Sequence, residues 1–181
     1  MNRCKWCNLN NQKYIYYHDN VWGKLNTSDE YLYKMLILET FQAGLSWECI
    51  LNKIDDFCLA YDNFDIDKVA GFDENKILEL YNNHKIIRNK RKILASINNS
   101  KIFKNIIKEY GSFYNYLCTF TNRKVFYEIG IVSSLLSDKI SEDLKRRGMS
   151  FVGTITIYSF LQAVGIIYSH EKECFLYKNK V

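Results

Sequence analysis

The helical spacing of its apolar residues most limits what this chain of 181 residues can fold into. Leu32, Met35 and Leu36 fall on one face of a helix, and the same spacing returns at Ile50 and Ile54. No segment alternates convincingly between apolar and polar residues, so we predict an all-α fold without a sheet. Helices are predicted over residues 29–44, 47–61, 73–81, 86–109, 112–118, 134–147 and 153–167, with a short helix after Asp65.

Composition narrows the class of protein. Hydrophobic residues make up 48% of the chain and charged residues 25%, which excludes intrinsically disordered and collagen-like proteins. The net charge of +5 permits a nucleic-acid partner without requiring one. A chain of this length forms one domain, or two small lobes that share a core.

The start of the chain and its cysteines set an expectation for the cellular compartment. Residues 1–6 contain no apolar stretch typical of a signal peptide, and the longest apolar segment, residues 160–168, is too short to span a bilayer. Six cysteines without an export signal are typical of reduced thiols or metal ligands. We therefore expect a cytoplasmic protein that does not associate with membranes.

The segment from Met35 to Trp47 contains a single charged residue, Glu39. On a helix, Glu39 follows Met35 by four residues and Leu36 by three, so it lies on or beside the buried face. A buried carboxylate without a partner is costly, so it should be either paired or used for function. Position alone leaves both a structural salt bridge and a functional role open.

The tripeptide Gly44-Leu45-Ser46 directly after this helix predicts a tight turn. Leu45 is then expected to be exposed close to Glu39. An exposed leucine is common in proteins, but near a basic surface it can also act as a wedge between stacked bases.

Cysteine and histidine residues occur together at both ends of the chain. His170 and Cys174 are four residues apart, so both side chains can face one ion, and Cys4 with His18 would complete a Cys₂His₂ set. Such a closed set is typical of a structural zinc site that joins the two ends. Cys7 competes for this role, because Cys4-x2-Cys7 is the spacing of a zinc ribbon.

Aromatic residues crowd the first part of the chain. Most of them can simply pack the N-terminal segment onto the protein body, but together they can also line a pocket that sandwiches a flat, cationic ligand. The candidate pocket residues are Trp6, Tyr14, Tyr16, Tyr17, Trp22 and Trp47.

Residues 144–154 are predicted to form a helix end, a short loop and the start of a second helix. Lys145 and Arg147 lie at the basic end of the first helix, where they can meet phosphates. The backbone N–H groups of Gly153 and Thr154 open a helix N-terminus suited to an anion. An ordinary helical turn with a solvated basic end explains the same residues.

In combination, these residues resemble the 3-methyladenine DNA glycosylase I family. The matching stretches follow one another in order along almost the whole chain, and their combination is highly specific although each alone is not. They are Arg3-Cys4-x-Trp6, Tyr14-x-x-Tyr17-His18-Asp19-Asn20-x-Trp22-Gly23, Gln42-Ala43-Gly44-Leu45-Ser46-Trp47, Ile86-Ile87-Arg88-x-x-x-Lys92-Ile93, Leu144-Lys145-x-Arg147-Gly148, Phe151-Val152-Gly153-Thr154 and Tyr158-Ser159-Phe160.

The resemblance implies a two-lobed helical fold of the helix-hairpin-helix superfamily, in which residues 1–181 form a single DNA glycosylase domain. One lobe joins the N- and C-terminal segments at a structural zinc ion, and the other lobe is the central helical part. The implied zinc ligands are Cys4, His18, His170 and Cys174, which removes Cys7 from the set.

The resemblance also implies excision of 3-methyladenine from double-stranded alkylated DNA, by a protein that we expect to be monomeric. Methylation at N3 leaves the adenine positively charged, so its glycosidic bond is weakened and the enzyme needs recognition more than strong acid catalysis. Glu39 would accept hydrogen bonds from the base and Tyr17 would join it. The flipped base would stack on Trp6, Tyr14, Trp22 and Trp47. Gly44 and Leu45 would fill the gap left in the duplex.

Two features of the hairpin refine this prediction. Members of the superfamily generally place a catalytic aspartate beyond the hairpin, and those with lyase activity place a lysine just after it. In this chain no aspartate follows Asp143, and residues 154–157 after Gly153 contain no lysine. We therefore predict a monofunctional glycosylase that leaves an abasic site, with Glu39 as the leading catalytic candidate. Phe151 stands where the superfamily pattern has its first hairpin glycine.

Two other functions compete with this interpretation. A non-catalytic, zinc-stabilised helical module could bind nucleic acid through residues 88–92 and 145–147, with Glu39 only as a satisfied core carboxylate. A metal-dependent hydrolase would need an open zinc position, which a Cys₂His₂ set does not leave.

Overall fold

The computed structural model of the chain describes residues 1–178, and 59% of the residues are helical. The described residues contain ten α-helices, with a short 3₁₀ turn at Asp62–Phe64 between the fourth and the fifth. They are α1 (Gln12–Asn20), α2 (Asp29–Gln42), α3 (Trp47–Asn52), α4 (Ile54–Ala60), α5 (Ile66–Ala70), α6 (Glu74–Asn82), α7 (Lys90–Tyr110), α8 (Phe113–Thr121), α9 (Leu135–Arg146) and α10 (Thr154–Ala163). None of the helices in this part of the chain is long and apolar enough to cross a membrane. The predicted helical class is confirmed.

Several predicted helix boundaries differ from the observed ones for local reasons. The predicted helix 153–167 ends at Ala163, because Gly165 adopts a left-handed φ of +78°, and Ile167–Tyr168 is a strand. The predicted helix 47–61 is divided at Lys53, whose φ of −104° and ψ of 5° are not those of a regular helix. The predicted helix 86–109 begins only at Lys90, because Asn89 caps it by accepting a hydrogen bond from the Lys92 N–H.

Helix α1 is missing from the prediction because its buried side chains are not aliphatic. Those side chains are Tyr14, Tyr17 and His18, and Asn11 caps the helix by accepting from the backbone N–H groups of Lys13 and Tyr14. The three buried residues follow a spacing of three and then one, which is helical. The helical signal of α1 is therefore carried by tyrosine and histidine side chains instead of aliphatic ones.

The prediction that the chain has no sheet was wrong in one place. Phe126–Tyr127 (β1) and Ile167–Tyr168 (β2) form a parallel pair, extended by a hydrogen bond from the Glu128 N–H to the Tyr168 carbonyl oxygen (3.1 Å). Two residues are too few to show the alternation by which a strand is recognised in sequence. The pair connects the segment before α9 to the segment that leads into His170.

Helix α2 lies at the centre of the molecule. Every residue from Met35 to Phe41 is buried, so the helix is surrounded on all sides rather than along one stripe. It contacts α3, α7, α8 and α10. Its N-terminus is capped by Ser28, whose hydroxyl accepts a hydrogen bond from the Tyr31 N–H (3.2 Å). Side chains on α2 are therefore held firmly by their surroundings.

Replacement of Gly165 should test how closely the segment after α1 is packed onto the end of α10. Gly165 has a φ of +78°, and a Cβ atom there would overlap the backbone of Lys24 and Leu25. We expect Gly165→Ala to lower the free energy of unfolding by about 3 kcal/mol or more. Gly130→Ala is the matched control, because Gly130 has a φ of +76° but open space around it. It should cost only about 1–2 kcal/mol. Equal losses in urea unfolding would contradict this account.

Candidate active site

A cleft of about 620 Å³ lies between α1, α2 and the segments that flank them. Glu39 of α2 lines this cleft together with five of the six aromatic residues that the sequence singled out, whereas Tyr16 is exposed and does not line it. The five are Trp6, Tyr14, Tyr17, Trp22 and Trp47. The structure therefore brings the predicted carboxylate and these five aromatic residues into one site, although they come from four separate parts of the chain.

The aromatic rings form continuous walls. The ring centroids of Trp6 and Trp22 are 4.7 Å apart, and those of Trp6 and Tyr14 are 5.4 Å apart. On another side of the cleft, the centroids of Tyr17 and Trp47 are 5.2 Å apart. The ring planes of these pairs meet at 43° to 69°, so the lining consists of both ring faces and ring edges, and an aromatic lining of this kind suits a planar ligand.

Glu39 is the one buried carboxylic acid among the described residues that line the cleft. Its side chain is 3% exposed, and its Oε2 atom has no hydrogen-bond partner among the described residues. Burial raises the pKa of Glu39 to about 8, because removal from water disfavours the charged form. The structural salt bridge that the sequence left open is therefore absent from residues 1–178. A ligand that donates hydrogen bonds or carries positive charge would relieve this burial.

Two tyrosine hydroxyls share the environment of Glu39. Burial, with the nearby Glu39 carboxylate as a further cause, raises the pKa of Tyr17 well above its usual value. Burial raises the pKa of Tyr14 to about 12, with smaller contributions from Glu48, Cys7 and Glu39. Both hydroxyls therefore keep their protons at neutral pH and can donate hydrogen bonds in the cleft.

The turn after α2 has the predicted form. Gly44 adopts a φ of +80°, and the Leu45 N–H donates to the Gln42 carbonyl oxygen at 2.7 Å. The Leu45 side chain is 40% exposed. Ser46 then caps α3 by accepting a hydrogen bond from the Cys49 N–H at 3.2 Å. Because Gln42 and Trp47 both line the cleft, this turn lies beside its mouth.

The four predicted metal ligands meet in one buried cluster. The ligand atoms of Cys4, His18, His170 and Cys174 all lie within 4.8 Å of one another. The Cys174 sulfur is 3.5 Å from His18 Nε2 and 3.5 Å from His170 Nδ1. In a tetrahedral zinc site, bond lengths of about 2.3 Å to sulfur and 2.1 Å to nitrogen place two ligand atoms about 3.6 Å apart. The cluster can therefore hold a metal ion.

The surroundings of the cluster fit a metal as well. His18 Nδ1 lies 2.7 Å from the Asp19 carboxylate, which directs His18 Nε2 toward the cluster, and Arg3 in turn binds Asp19. Two backbone N–H groups donate to the sulfur atoms, from Glu171 to Cys4 and from Leu176 to Cys174, each at 3.4 Å. Such N–H groups stabilise thiolates, the form that binds metal.

Cys7 lies outside this cluster. It is buried, and its thiol donates to the Tyr14 carbonyl oxygen at 3.8 Å. The geometry therefore favours Cys4 over Cys7 as the N-terminal cysteine ligand, a choice that the spacing alone left open.

The helix–loop–helix is formed by α9, the loop of residues 147–153 and α10. Lys145 is exposed on α9, and Gly153 precedes the first turn of α10. The Thr154 hydroxyl donates to Asp138 at 2.6 Å, which leaves its backbone N–H at the helix N-terminus. Phe151, in the place of a glycine, adopts a φ of +59°, so the backbone keeps the left-handed conformation that glycine favours.

Arg147 occupies a different place from the one predicted. Its guanidinium donates to Asp143 at 2.7 Å and to Glu109 at 2.6 Å, and it lies 5.5 Å from the Tyr110 ring centroid. These contacts tie α9 to α7, and a DNA phosphate would have to compete with two carboxylates. Lys92, in the 88–92 segment through which the alternative binding module would contact nucleic acid, is buried.

Some residues of the cleft were not predicted. Residues 129–132 (Ile-Gly-Ile-Val) line its mouth, and Ser159 and Gln162 of α10 line its inner part. Three apolar side chains in the 129–132 loop are exposed, Ile129, Ile131 and Val132. An apolar run outside any predicted helix was the signal available in the sequence.

Aromatic residues around an unpaired, buried carboxyl define a class of helical proteins whose cleft suits a flat ligand with positive charge. Comparison with protein families narrows this class. The chain belongs to the methyladenine glycosylase family, whose model matches residues 6–177.

Similar proteins match this chain over almost its whole length. DNA-3-methyladenine glycosylase 1 of Escherichia coli K12 is 36% identical, and the match covers 98% of this chain and 97% of that protein. DNA-3-methyladenine glycosylase of Haemophilus influenzae Rd is 32% identical over 95% of this chain and 96% of that protein. A solved structure of 3-methyladenine DNA glycosylase I from Staphylococcus aureus, described for its recognition of 3-methyladenine, matches with a TM-score of 0.91. It is 32% identical and covers 97% of this chain and 96% of that one.

The burial of Glu39 predicts a pH-dependent stability. Because the pKa of Glu39 is about 8 in the folded protein and 4.5 ordinarily, the folded state retains a proton that the unfolded chain has already lost. The wild type should therefore lose free energy of unfolding relative to Glu39→Gln as the pH rises from about 4.5 to about 8. The difference at pH 8 should be on the order of a few kcal/mol.

Urea unfolding at a series of pH values measures this difference. Glu142→Gln is the matched control, because Glu142 is exposed on α9 and its replacement should leave the pH profile parallel to that of the wild type. A Glu39→Gln profile that is also parallel to the wild type would show that Glu39 is not desolvated.

Proposed function

We propose that this chain is a monofunctional DNA glycosylase, which takes 3-methyladenine out of alkylated double-stranded DNA and hydrolyses its N-glycosidic bond. The reaction releases the free base and leaves an abasic site for base excision repair. The observation that carries this proposal is the unpartnered Glu39 carboxyl inside an aromatic cleft.

Glu39 suits a cationic base better than a neutral one. A base methylated at N3 carries positive charge, and its exocyclic amino group donates hydrogen bonds. Glu39 Oε2 has no other partner among the described residues, so a donor of this kind would satisfy it. Tyr17, whose pKa is raised by burial and by Glu39, would add a hydrogen bond from its hydroxyl.

The aromatic residues supply the stacking surfaces. Trp6, Tyr14, Trp22 and Trp47 line the cleft and would hold the flipped base by its faces and edges. The weakened glycosidic bond of the cation lets the base depart neutral, so the site needs little acid catalysis. Glu39 would favour the positive charge of the bound base and could direct the attacking water.

The DNA surface is proposed on both sides of the cleft mouth. Gly44 and Leu45 would enter the gap left by the flipped nucleotide, since Leu45 is exposed at a tight turn. Lys145 and the backbone N–H groups of Gly153 and Thr154 would bind phosphates of one strand. Arg147 would act mainly through α9, which its ion pairs fix to α7.

The Cys₂His₂ cluster would hold one structural zinc ion, with Cys4, His18, His170 and Cys174 as ligands. Four protein ligands leave no open position for a substrate, so the metal would serve the fold alone. We further propose a single domain, residues 1–181, with the helix–hairpin–helix arrangement and two lobes, acting as a cytoplasmic monomer.

Release of bases from dimethyl-sulfate-treated duplex DNA tests the activity. We expect the wild type to release free 3-methyladenine and little 7-methylguanine, as analysed by chromatography. Glu39→Ala should lower the rate by about 10²-fold or more, since a positioned carboxylate commonly contributes that much. Quenching of tryptophan fluorescence by free 3-methyladenine would report base binding separately from chemistry.

Glu39→Gln separates the possible outcomes of this experiment. If it kept both the full rate and the full affinity for the free base, Glu39 would have no role in the reaction. No release from folded, zinc-loaded wild type, with DNA binding intact, would instead support a non-catalytic nucleic-acid-binding module.

Metal analysis of cysteine variants tests the zinc site. Cys174→Ser should lose the zinc and unfold at a lower temperature, because a structural metal contributes directly to folding free energy. Cys7→Ser is the matched control, since Cys7 is equally buried but outside the cluster, and it should retain one zinc per chain. Full zinc retention in Cys174→Ser would defeat the assignment.

A further inference from the structure

Lys92 is the one lysine among the buried residues of the described chain, with only 6% of its surface exposed. It lies in the first turn of α7, where a positive charge gains nothing from the helix dipole. Burial also lowers its pKa. Such a costly position needs a compensating interaction, and the contacts of the ammonium group show what it is.

The Lys92 ammonium binds the end of α2. Its Nζ atom donates to the Phe41 carbonyl oxygen at 2.8 Å and to the Ala43 carbonyl oxygen at 2.5 Å. Carbonyl groups at a helix C-terminus lack partners within the helix and carry partial negative charge, so a lysine there stabilises them. Ala43 is the residue directly before Gly44 and Leu45, and Lys92 therefore fixes the start of that turn.

The same lysine also contacts the helix–loop–helix. Its Nζ lies 5.7 Å from the centroid of the Phe151 ring, within reach of a cation–π interaction. Seven residues further along α7, on the same face, Asn99 forms two hydrogen bonds with the backbone of Ser150, each of 2.9 Å. Asn99 is fully buried. Helix α7 thus contacts the Gly44–Leu45 turn through Lys92 and the hairpin loop (residues 147–153) through Asn99. The two residues are about 10 Å apart along the helix.

We propose that Lys92 is a positioning residue that holds the Gly44–Leu45 turn in a fixed place relative to the hairpin loop, so that both elements meet the duplex together. This inference rests on the proposed function, in which Leu45 enters the DNA and the hairpin binds phosphates. It assigns to the buried end of the 88–92 segment a role in DNA binding without any contact to DNA. Lys92 acts through Leu45, so the two residues should be energetically coupled.

A double-mutant cycle on Leu45 and Lys92 tests the proposal. The probe is a labelled duplex that contains a tetrahydrofuran abasic-site analogue, and binding is followed by fluorescence anisotropy. Leu45→Ala and Lys92→Met should each weaken binding on the order of tenfold, and the double variant should bind no more weakly than the weaker single variant. Affinity for free 3-methyladenine should stay within about twofold of the wild type in all variants, because Leu45 and Lys92 do not line the cleft.

Two further variants control for charge and folding. Lys92→Gln is close to Lys92→Met in size but keeps an N–H donor, so it should bind the duplex more tightly than Lys92→Met does. It also keeps the test usable if methionine at this buried position prevents folding. Lys101→Met removes the same charge from the exposed, opposite face of α7 and should bind as the wild type does.

The outcomes are distinct. If Leu45→Ala lost affinity while Lys92→Met did not, or if the two losses added, Lys92 would have no positioning role and the proposed function would stand. Unchanged affinity in Leu45→Ala would show that Leu45 does not enter the duplex, and this inference would fail with that part of the proposed function. If Lys92→Gln and Lys92→Met bound the duplex equally weakly, the hydrogen bonds to the Phe41 and Ala43 carbonyl groups would not contribute to duplex affinity, and Lys92 would not hold the turn through them.

Discussion

The desolvation of Glu39 is the constraint on which the arrangement of the site depends. A carboxyl with a pKa of about 8 can be kept in the core only if the surrounding structure is stable enough to offset its cost. Helix α2 meets this condition, because four other helices surround it and seven consecutive residues are buried. The rigidity of α2 also keeps Glu39 from turning outward to water. The protein thus holds a desolvated carboxyl whose cost in free energy a suitable ligand would reduce.

The Cys₂His₂ cluster lies directly behind the aromatic residues of the cleft. The Trp6 ring is 5.2 Å from the His18 ring, and the Trp22 ring is 4.8 Å from the His170 ring. Tyr17 precedes His18 on α1, so the same helix supplies both a residue of the cluster and a residue of the cleft. The packing of the four cluster residues therefore supports the aromatic residues of the cleft. This arrangement explains how segments far apart in sequence can form a precise cleft without a large core of their own.

The features that could be predicted from the sequence are those whose signal lies within a few neighbouring residues. Helix α2, its buried Glu39 and the turn at Gly44 were predicted, because spacing, a lone charge and a glycine are all visible within a few residues. The positions of Lys92 and Arg147 were not, since a basic residue looks the same whether it is solvated or binds carbonyl and carboxylate groups far along the chain. The β1–β2 pair was missed for a related reason, because two residues carry no pattern of their own.

The raised pKa of Glu39 also provides a basis for selecting charged bases over neutral ones. At neutral pH the empty cleft holds mostly a protonated carboxyl, which is the less costly form when buried. A cationic base would favour the ionised form, and the attraction in this desolvated place would be strong because little water screens it. An unmodified adenine brings no charge that would favour ionisation, so the carboxyl would stay protonated and the base would gain no charge–charge attraction. Stacking tolerates any base, whereas the buried carboxyl would favour a base with positive charge, so the selection of charged over neutral bases would depend on the same burial that makes Glu39 costly to the fold.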